Sequence, residues 1–227
     1  MELCVALDLP TAKENLDLIN KIKNHSVWLK VGLRTYIRDG EDFLKAIKEI
    51  NPDFKIFLDL KLYDIPNTMA DSAESIMGLG VDMFNIHASA GRRAMDTVMQ
   101  RLEKYENRPI VLAVTALTSF TEDEFDAIYE KSILEKANQF AKDANDSGLD
   151  GVVCSAFESE SIKNITNDKF MTLTPGIRPF GEDAGDQKRV ADVTYAKNAK
   201  VDFIVVGRPI YQAEDPEEIV SKILAQI

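Results

Sequence analysis

Short apolar runs rich in β-branched residues recur along the chain, separated by longer stretches in which apolar positions return every three or four residues. The runs predict strands at 3–8, 27–31, 55–60, 82–87, 109–115, 150–154, 170–174 and 201–206. The amphipathic stretches predict helices near 11–24, 39–50, 66–79, 89–106, 121–147, 157–165, 184–198 and 215–226. Near-continuous apolar strands alternating with helices imply an α/β protein with a parallel sheet covered by helices. Eight repeats in 227 residues predict a single (β/α)8 TIM barrel over residues 1–227, with a doubly wound open sheet as the alternative.

A barrel of this kind carries its active site at the C-terminal rim. The strand ends there offer Asp8, Lys30, Asp59 with Lys61, Asn85 with His87, Thr115, Ser155, Thr174, and Gly207 with Arg208. Each C-terminal end thus has a polar or ionisable group or a rim loop residue, and the N-terminal ends are expected to carry no matching set. That asymmetry is what a barrel enzyme should show.

The third strand is the most unusual. Alternation puts Ile56, Leu58 and Leu60 on the face suited to the helix layer, and Phe57, Asp59 and Lys61 on the face that points inward. Two opposite charges then sit ~7 Å apart along the strand at the mouth of an apolar interior. Asp64 follows on the loop. With Asp8 and Lys30 the set reads as an alternating row of charges in one pocket. An ion pair that only caps the barrel is worth ~0–1 kcal/mol, little return for desolvating charge. An ammonium flanked by carboxylates suits chemistry in which negative charge builds at carbon and a proton is then delivered.

The last two rim loops of a barrel commonly form a phosphate site. Here they are Thr174-Pro175-Gly176-Ile177-Arg178-Pro179 and Gly207-Arg208-Pro209, each offering an arginine for bidentate contact. The polar, glycine-rich stretch from Phe180 to Lys188 reads as a lid, with Asp183 alternatively capping the next helix. In the loop after the fifth strand, Ser119 with Glu122 and Thr121 with Glu124 both have capping-box spacing, so the chemistry there stays ambiguous. His87 fits a rim or core histidine better than a catalyst.

Charge and composition narrow the partners. Asp plus Glu is 38 against 27 Lys plus Arg, a formal charge of −11, which argues against nucleic acid or an anionic membrane as the main partner. No apolar run reaches the ~18 residues of a membrane span, and residues 1–10 lack a signal-peptide pattern, so a cytoplasmic protein is expected. Cys4 and Cys154 lie in apolar runs and read as buried free thiols, and two histidines without a cysteine cluster do not suggest zinc.

The motif Asp59-x-Lys61-x-x-Asp64-Ile65-Pro66-Asn67-Thr68, with Thr115-x-x-Thr118-Ser119, Thr174-Pro175-Gly176-Ile177-Arg178 and Val206-Gly207-Arg208-Pro209-Ile210, resembles orotidine 5′-phosphate decarboxylases of the short bacterial type. The likeness runs through essentially the whole chain. It implies conversion of orotidine 5′-monophosphate to UMP and CO₂ in pyrimidine biosynthesis, without metal or organic cofactor. By it, Lys61 donates a proton to the pyrimidine, Asp59 lies near the departing carboxylate, and Asp64 enters the neighbouring subunit's site in a homodimer. Asp8 and Lys30 hold the ribose, Lys30 also joins the charge row, and Thr68 reaches the ribose of the partner's site. Thr118 and Ser119 meet the pyrimidine edge, and Pro175, Arg178, Gln187, Gly207 and Arg208 surround the phosphate end. Two rivals stay open on chemistry alone: a related sugar-phosphate decarboxylase or aldolase using Mg²⁺, and a phosphate-binding barrel without catalysis.

Overall fold

The computed structural model describes every residue except 182–184, 186 and 187. Among the described residues, eight strands close into a parallel barrel in chain order: β1 (Glu2–Ala6), β2 (Trp28–Gly32), β3 (Lys55–Leu62), β4 (Met83–His87), β5 (Ile110–Val114), β6 (Gly151–Val153), β7 (Met171–Thr174) and β8 (Phe203–Val206). Each pairs in parallel with the next, and β8 returns to β1 through Glu2–Phe203 and Val5–Val206. The fold is therefore the (β/α)8 barrel that the alternation implies, and not the open sheet.

Around it run α1 (Ala12–Ile22), α2 (Leu33–Ile50), α3 (Pro66–Ile76), α4 (Arg92–Leu102), α5 (Glu122–Tyr129), α6 (Ile133–Asp146), α7 (Ala156–Ile165), α8 (Val193–Asn198), α9 (Arg208–Tyr211) and α10 (Pro216–Leu224). Three of the predicted helical stretches depart from the structure, and the short α9 has no counterpart among them. The stretch 121–147 is two helices, because Glu130 takes a left-handed conformation (φ 54°) and Ser132 starts α6 by accepting the Glu135 N–H. Helix α2 begins at Leu33 rather than near 39 and breaks at Gly40, whose φ of 62° lies outside the helical region. Its first turns expose Leu33 and Ile37, so their apolar face does not point at this chain's core and periodicity misses it. Helix α8 begins at Val193 instead of near 184, capped by Asp192, whose carboxylate accepts the Tyr195 N–H at 2.6 Å.

Strand alternation divides the core in two. Ile56 and Leu58 pack outward under the helices, while Phe57 joins Cys4, Trp28, Met83, Leu112 and Phe203 inside the barrel. Trp28 meets Phe203 edge-to-face at 5.3 Å and donates its indole N–H to Glu2 at 2.6 Å. Both cysteines are buried and free, as expected.

The N-terminal rim corrects one expectation, because it does carry a matching set. Asp82, Asp150 and Asp202 each stand one residue or less before β4, β6 and β8. Each accepts a backbone N–H at the start of the preceding strand: Ile56 at 2.9 Å, Val111 at 2.7 Å and Thr172 at 2.7 Å. Each also holds a basic side chain from that rim: Lys55 on Asp82, Arg108 on Asp150, and Lys163 on Asp202 at 2.7 Å. The carboxylates replace ladder partners that staggered strands lack at the barrel floor. Their reading is structural, since this rim of a barrel serves stability. Lys163 is the most buried of the cations, its side chain 3 % exposed. Asp202→Ala therefore leaves a buried ammonium without its carboxylate and should destabilise the protein by about 3 kcal/mol. The expected result is a lowered melting temperature by circular dichroism with kcat/KM unchanged below the transition.

Candidate active site

The C-terminal mouth of the barrel opens into a cavity of about 290 Å³. Its floor is the top of the apolar interior, including Ala6, Phe57, Val114 and Val205. Asp8, Lys30, Asp59 and Lys61 line the cavity from the ends of β1 to β3, and the loops after β7 and β8 bring Arg178 and Arg208, with β8 closing the barrel beside β1. Four members of the predicted row of charges come together, and Asp64 does not join them. The Lys30 ammonium lies 3.2 Å from Asp8 Oδ1 and 3.5 Å from Asp59 Oδ2, and the Lys61 ammonium donates to Asp59 Oδ1 at 2.6 Å.

These contacts set the charge states. Burial opposes the Lys30 ammonium, but Asp59 and Asp8 outweigh it and hold its pKa above the ordinary lysine value. Burial likewise opposes the Asp59 carboxylate, and Lys30 and Lys61, with hydrogen bonds from Lys61 and Asn85, keep it below the usual carboxylate range. Beneath them, burial pushes the Cys4 thiol up and keeps it neutral. Lys30 and Asp59 thus stay ionised over an apolar floor, with Asp8 and Lys61 in contact on either side of them.

Local backbone geometry aims Lys61. Leu58 faces Phe84 and Leu62 faces Ile86, so four residue steps on β3 oppose two on β4. Lys61 sits in this bulge at φ 53°, in the left-handed region. Asn85, fully buried on β4, accepts the Lys61 backbone N–H at 2.7 Å and donates to Asp59 Oδ1 at 2.8 Å.

The other rim residues divide. Thr118, Ser119, Pro175, Arg178, Gly207 and Arg208 line the cavity as expected. The capping ambiguity resolves: Thr121 and Glu124 form the box that starts α5, while Ser119 faces the cavity and Glu122 accepts the Ile133 N–H at 3.0 Å. Thr115 and Ser155 serve the scaffold instead. Thr115 bonds Val153 O at 3.0 Å, and Ser155 caps α7. Thr174 is fully buried below the cavity wall. His87 is a rim residue whose Nδ1 lies 2.7 Å from Ser89 Oγ and whose ring leans on Tyr63 at 5.5 Å. Burial first, then the Lys61 charge, lower its pKa, so it is neutral at pH 7. Asp64 and Thr68 are exposed and do not line this chain's own cavity; Asp64 bonds only the adjacent Ile65 N–H at 2.7 Å among the hydrogen bonds given for its side chain. Gln187 and the Asp183 cap lie outside the described residues.

Two residues escape the sequence reading as functional parts. Asn85 stands among the strand-end groups, but its tie to the bulge depends on a register that no local pattern reveals. Arg189 joins the loop after β7 to the loop after β5, reaching Leu117 O at 3.5 Å and pairing with Glu158 inside α7. The adjacent Lys188 N–H donates to Thr118 O at 3.2 Å. One buried ion pair therefore anchors the loop bearing Thr118 and Ser119 to the end of the loop bearing Arg178.

The chain and its fold have close counterparts. The profile of the orotidine 5′-phosphate decarboxylase / HUMPS family matches residues 1–223. An orotidine 5′-phosphate decarboxylase of Sulfurimonas denitrificans is 78 % identical over 227 residues, all of each chain, and one of Campylobacter jejuni is 59 % identical over the same span. Among solved structures, the orotidine 5′-phosphate decarboxylase of Lactobacillus acidophilus superposes with a TM-score of 0.85 at 33 % identity, over 99 % of this chain and 98 % of that one. The enzyme of Methanocaldococcus jannaschii, solved with the inhibitor BMP, shares the fold at 22 % identity and a TM-score of 0.79, over 99 % and 97 % of the two chains.

The Glu158–Arg189 pair yields a pH test. Burial raises the Glu158 pKa despite Arg189 and the Ser155 N–H, which both lower it. A carboxyl raised on folding loses stability as pH climbs from its unfolded value through its folded one. Arg189→Met removes the main compensating charge and widens that window. The variant should lose about 3 kcal/mol or more near neutral pH and visibly less near pH 5, read as melting temperatures across that range. A loss independent of pH would place the effect in packing instead.

Proposed function

The chain belongs to the orotidine 5′-phosphate decarboxylase / HUMPS family and is a carboxy-lyase of pyrimidine biosynthesis, and we propose that it converts orotidine 5′-monophosphate to UMP and CO₂ without metal or organic cofactor. The observation that carries this reading is the Lys61 ammonium 2.6 Å from Asp59 in a cavity that Arg178 and Arg208 also line.

The chemistry follows from that layout. The phosphate end of the nucleotide sits against Arg178, Gly207 and Arg208, where guanidinium forks match a dianion. The ribose lies over Asp8 and Lys30, and the pyrimidine edge meets Thr118 and Ser119. This seats C6 of the ring at Lys61 and its carboxylate beside Asp59. The bond from C6 to the carboxylate carbon breaks, CO₂ leaves, and the electron pair remains at C6 in the ring plane with little resonance help. The Lys61 ammonium stabilises that pair and then delivers its proton to C6. Because Lys30 and Lys61 already hold Asp59 ionised, the positive charge facing the carbanion is fixed before the bond breaks. Phosphate binding far from C6 supplies energy to orient the ring.

A second copy of the chain completes the site in this reading. Tyr63 and Ile65 flank Asp64 in the chain, and Leu33 and Ile37 begin the helix after the neighbouring strand β2; all four expose large apolar side chains, 64 %, 68 %, 47 % and 79 % accessible. Such exposure on a soluble barrel supports association with a like surface. Pro66 starts α3 and turns the chain just beyond Asp64. In the two-fold dimer, Asp64 and Thr68 of each protomer enter the other's cavity, and Asp64 supplies a second carboxylate to Lys61.

Subunit exchange tests both proposals together. Lys61→Ala alone should lose at least ~10²-fold in kcat, the lower bound for general acid catalysis. Asp64→Ala should also be nearly inactive. A mixed dimer of the two has one doubly defective site and one intact site. Random exchange of equal amounts makes half the dimers mixed, so about a quarter of wild-type activity should return. No recovery, with mixed dimers detected by native mass spectrometry, would put Asp64 in its own chain's site. More than about a tenth of wild-type turnover in Lys61→Ala would remove Lys61 from the chemistry, since it then supplies only ~1.4 kcal/mol of the barrier.

A further inference from the structure

We propose that Asn85 is a positioning residue, which fixes Lys61 and Asp59 relative to each other by spending both ends of one side-chain amide on them. The inference rests on the reading of Lys61 as proton donor. It begins with the bulge, where β3 spends two more residues than β4 between Leu58 and Leu62. That excess takes the Lys61 backbone out of the ladder, and its N–H turns to the Asn85 side chain at 2.7 Å. The other end of the amide meets Asp59 Oδ1 at 2.8 Å, the same oxygen that accepts from the Lys61 ammonium at 2.6 Å. The amide fits in one orientation only. Reversed, it would set N–H against N–H and carbonyl against carboxylate.

No other side-chain type serves both contacts in this space. Leucine would leave the Lys61 N–H unpaired in a dry interior, because Asn85 is 0 % exposed. Aspartate would accept that N–H but would set a second carboxylate against Asp59. Asn85 does not line the cavity, so it acts through its two partners. Strand alternation accounts for its place: Met83 on the same face of β4 lies two residues below, inside the barrel.

The groups facing Asp59 come from four strands. Lys61 belongs to β3 itself and Lys30 to β2; Asp8, beyond Lys30, and the neutral Cys4 thiol belong to the β1 side; Asn85 and, toward Lys61, His87 belong to β4. Replacing Asn85 leaves the others in place and removes one donor to the charged form of Asp59. Its pKa then rises, and the acid limb of kcat/KM moves to higher pH.

The test uses full-length wild-type, Asn85→Leu and Asn85→Asp proteins, with orotidine 5′-monophosphate as substrate, UMP as binding probe, and thermal melts to establish folding. Both variants should lose about 10²-fold in kcat, the scale of a small misplacement of a catalytic group. KM and the UMP Kd should stay within about threefold. Asn85→Leu should also move the acid limb upward. A wild-type protein inert towards the substrate would overturn the functional reading. An active wild type would leave that reading standing, and the assignment of Asn85 alone would fall on any of three results: a folded Asn85→Leu with kcat within about threefold of wild type, kcat and KM changed in parallel with the acid limb unmoved, or neither variant folding, which makes Asn85 a structural residue.

Discussion

Asp8, Lys30, Asp59 and Lys61 form an unbroken row of opposite charges where the apolar interior of the barrel meets the cavity, and the two buried members at its centre depend on their neighbours to remain ionised. The two central members, Lys30 and Asp59, have side chains only 12 % and 13 % exposed. An isolated charge at that depth would shift its pKa until it was neutral. Arranged in alternation, Asp59 and Asp8 hold Lys30 charged, and Lys30 and Lys61 hold Asp59 charged. The dry floor of Cys4, Phe57 and Val205 strengthens every term in this sum, because water does not screen from below. What the cavity offers a ligand is therefore a fixed electrostatic field and not a set of groups that reorganise on demand.

The rest of the barrel can be understood as support for that row. At the floor, Asp82, Asp150 and Asp202 tie the starts of adjacent strands and carry their own cations, which fixes strand stagger. At the mouth, the bulge in β3 breaks the same regularity so that Lys61 faces the cavity beside Asp59, with Asn85 satisfying the backbone that the bulge strands. Farther round, Arg189 and Glu158 join the loops on the two sides of the cavity that hold Thr118 and Arg178. Charge is thus used twice, at one rim to tie adjacent strands and at the other to line the cavity. The distinction lies in surroundings: the floor carboxylates each accept a strand N–H as well as a cation, while Asp59 is shared between two ammonium groups that line the cavity.

The barrel was legible because its signal is repetitive. Eight apolar runs separated by amphipathic stretches leave few architectures, and the strand boundaries fall within about two residues. Asp59, Lys61 and Lys30 were legible for another reason, since charges inside an apolar run contradict their setting, and alternation says which way Lys30 and Asp59 point. Features that depend on pairing were not. The register shift of β3, the role of Asn85 and the floor aspartates arise from which strand lies beside which and by how much each is staggered. The aspartates did leave a trace, a Val-Asp or Leu-Asp pair before β4, β6 and β8, that an inventory confined to the C-terminal ends passes over. The first turns of α2 were missed because Leu33 and Ile37 face away from this chain's core, and the structure places Asp64 outside its own chain's cavity, a position that strand alternation does not reach.

Whether the fixed charges suffice for the chemistry is settled most directly by following the loss of orotidine 5′-monophosphate absorbance with purified protein that has been treated with EDTA and assayed without added metal. If the row of charges with Lys61 as acid carries the reaction, turnover proceeds at the same rate before and after chelation and is not raised by Mg²⁺. Turnover that vanishes on chelation and returns with Mg²⁺ would contradict the account and assign the chemistry to a metal-held enediolate.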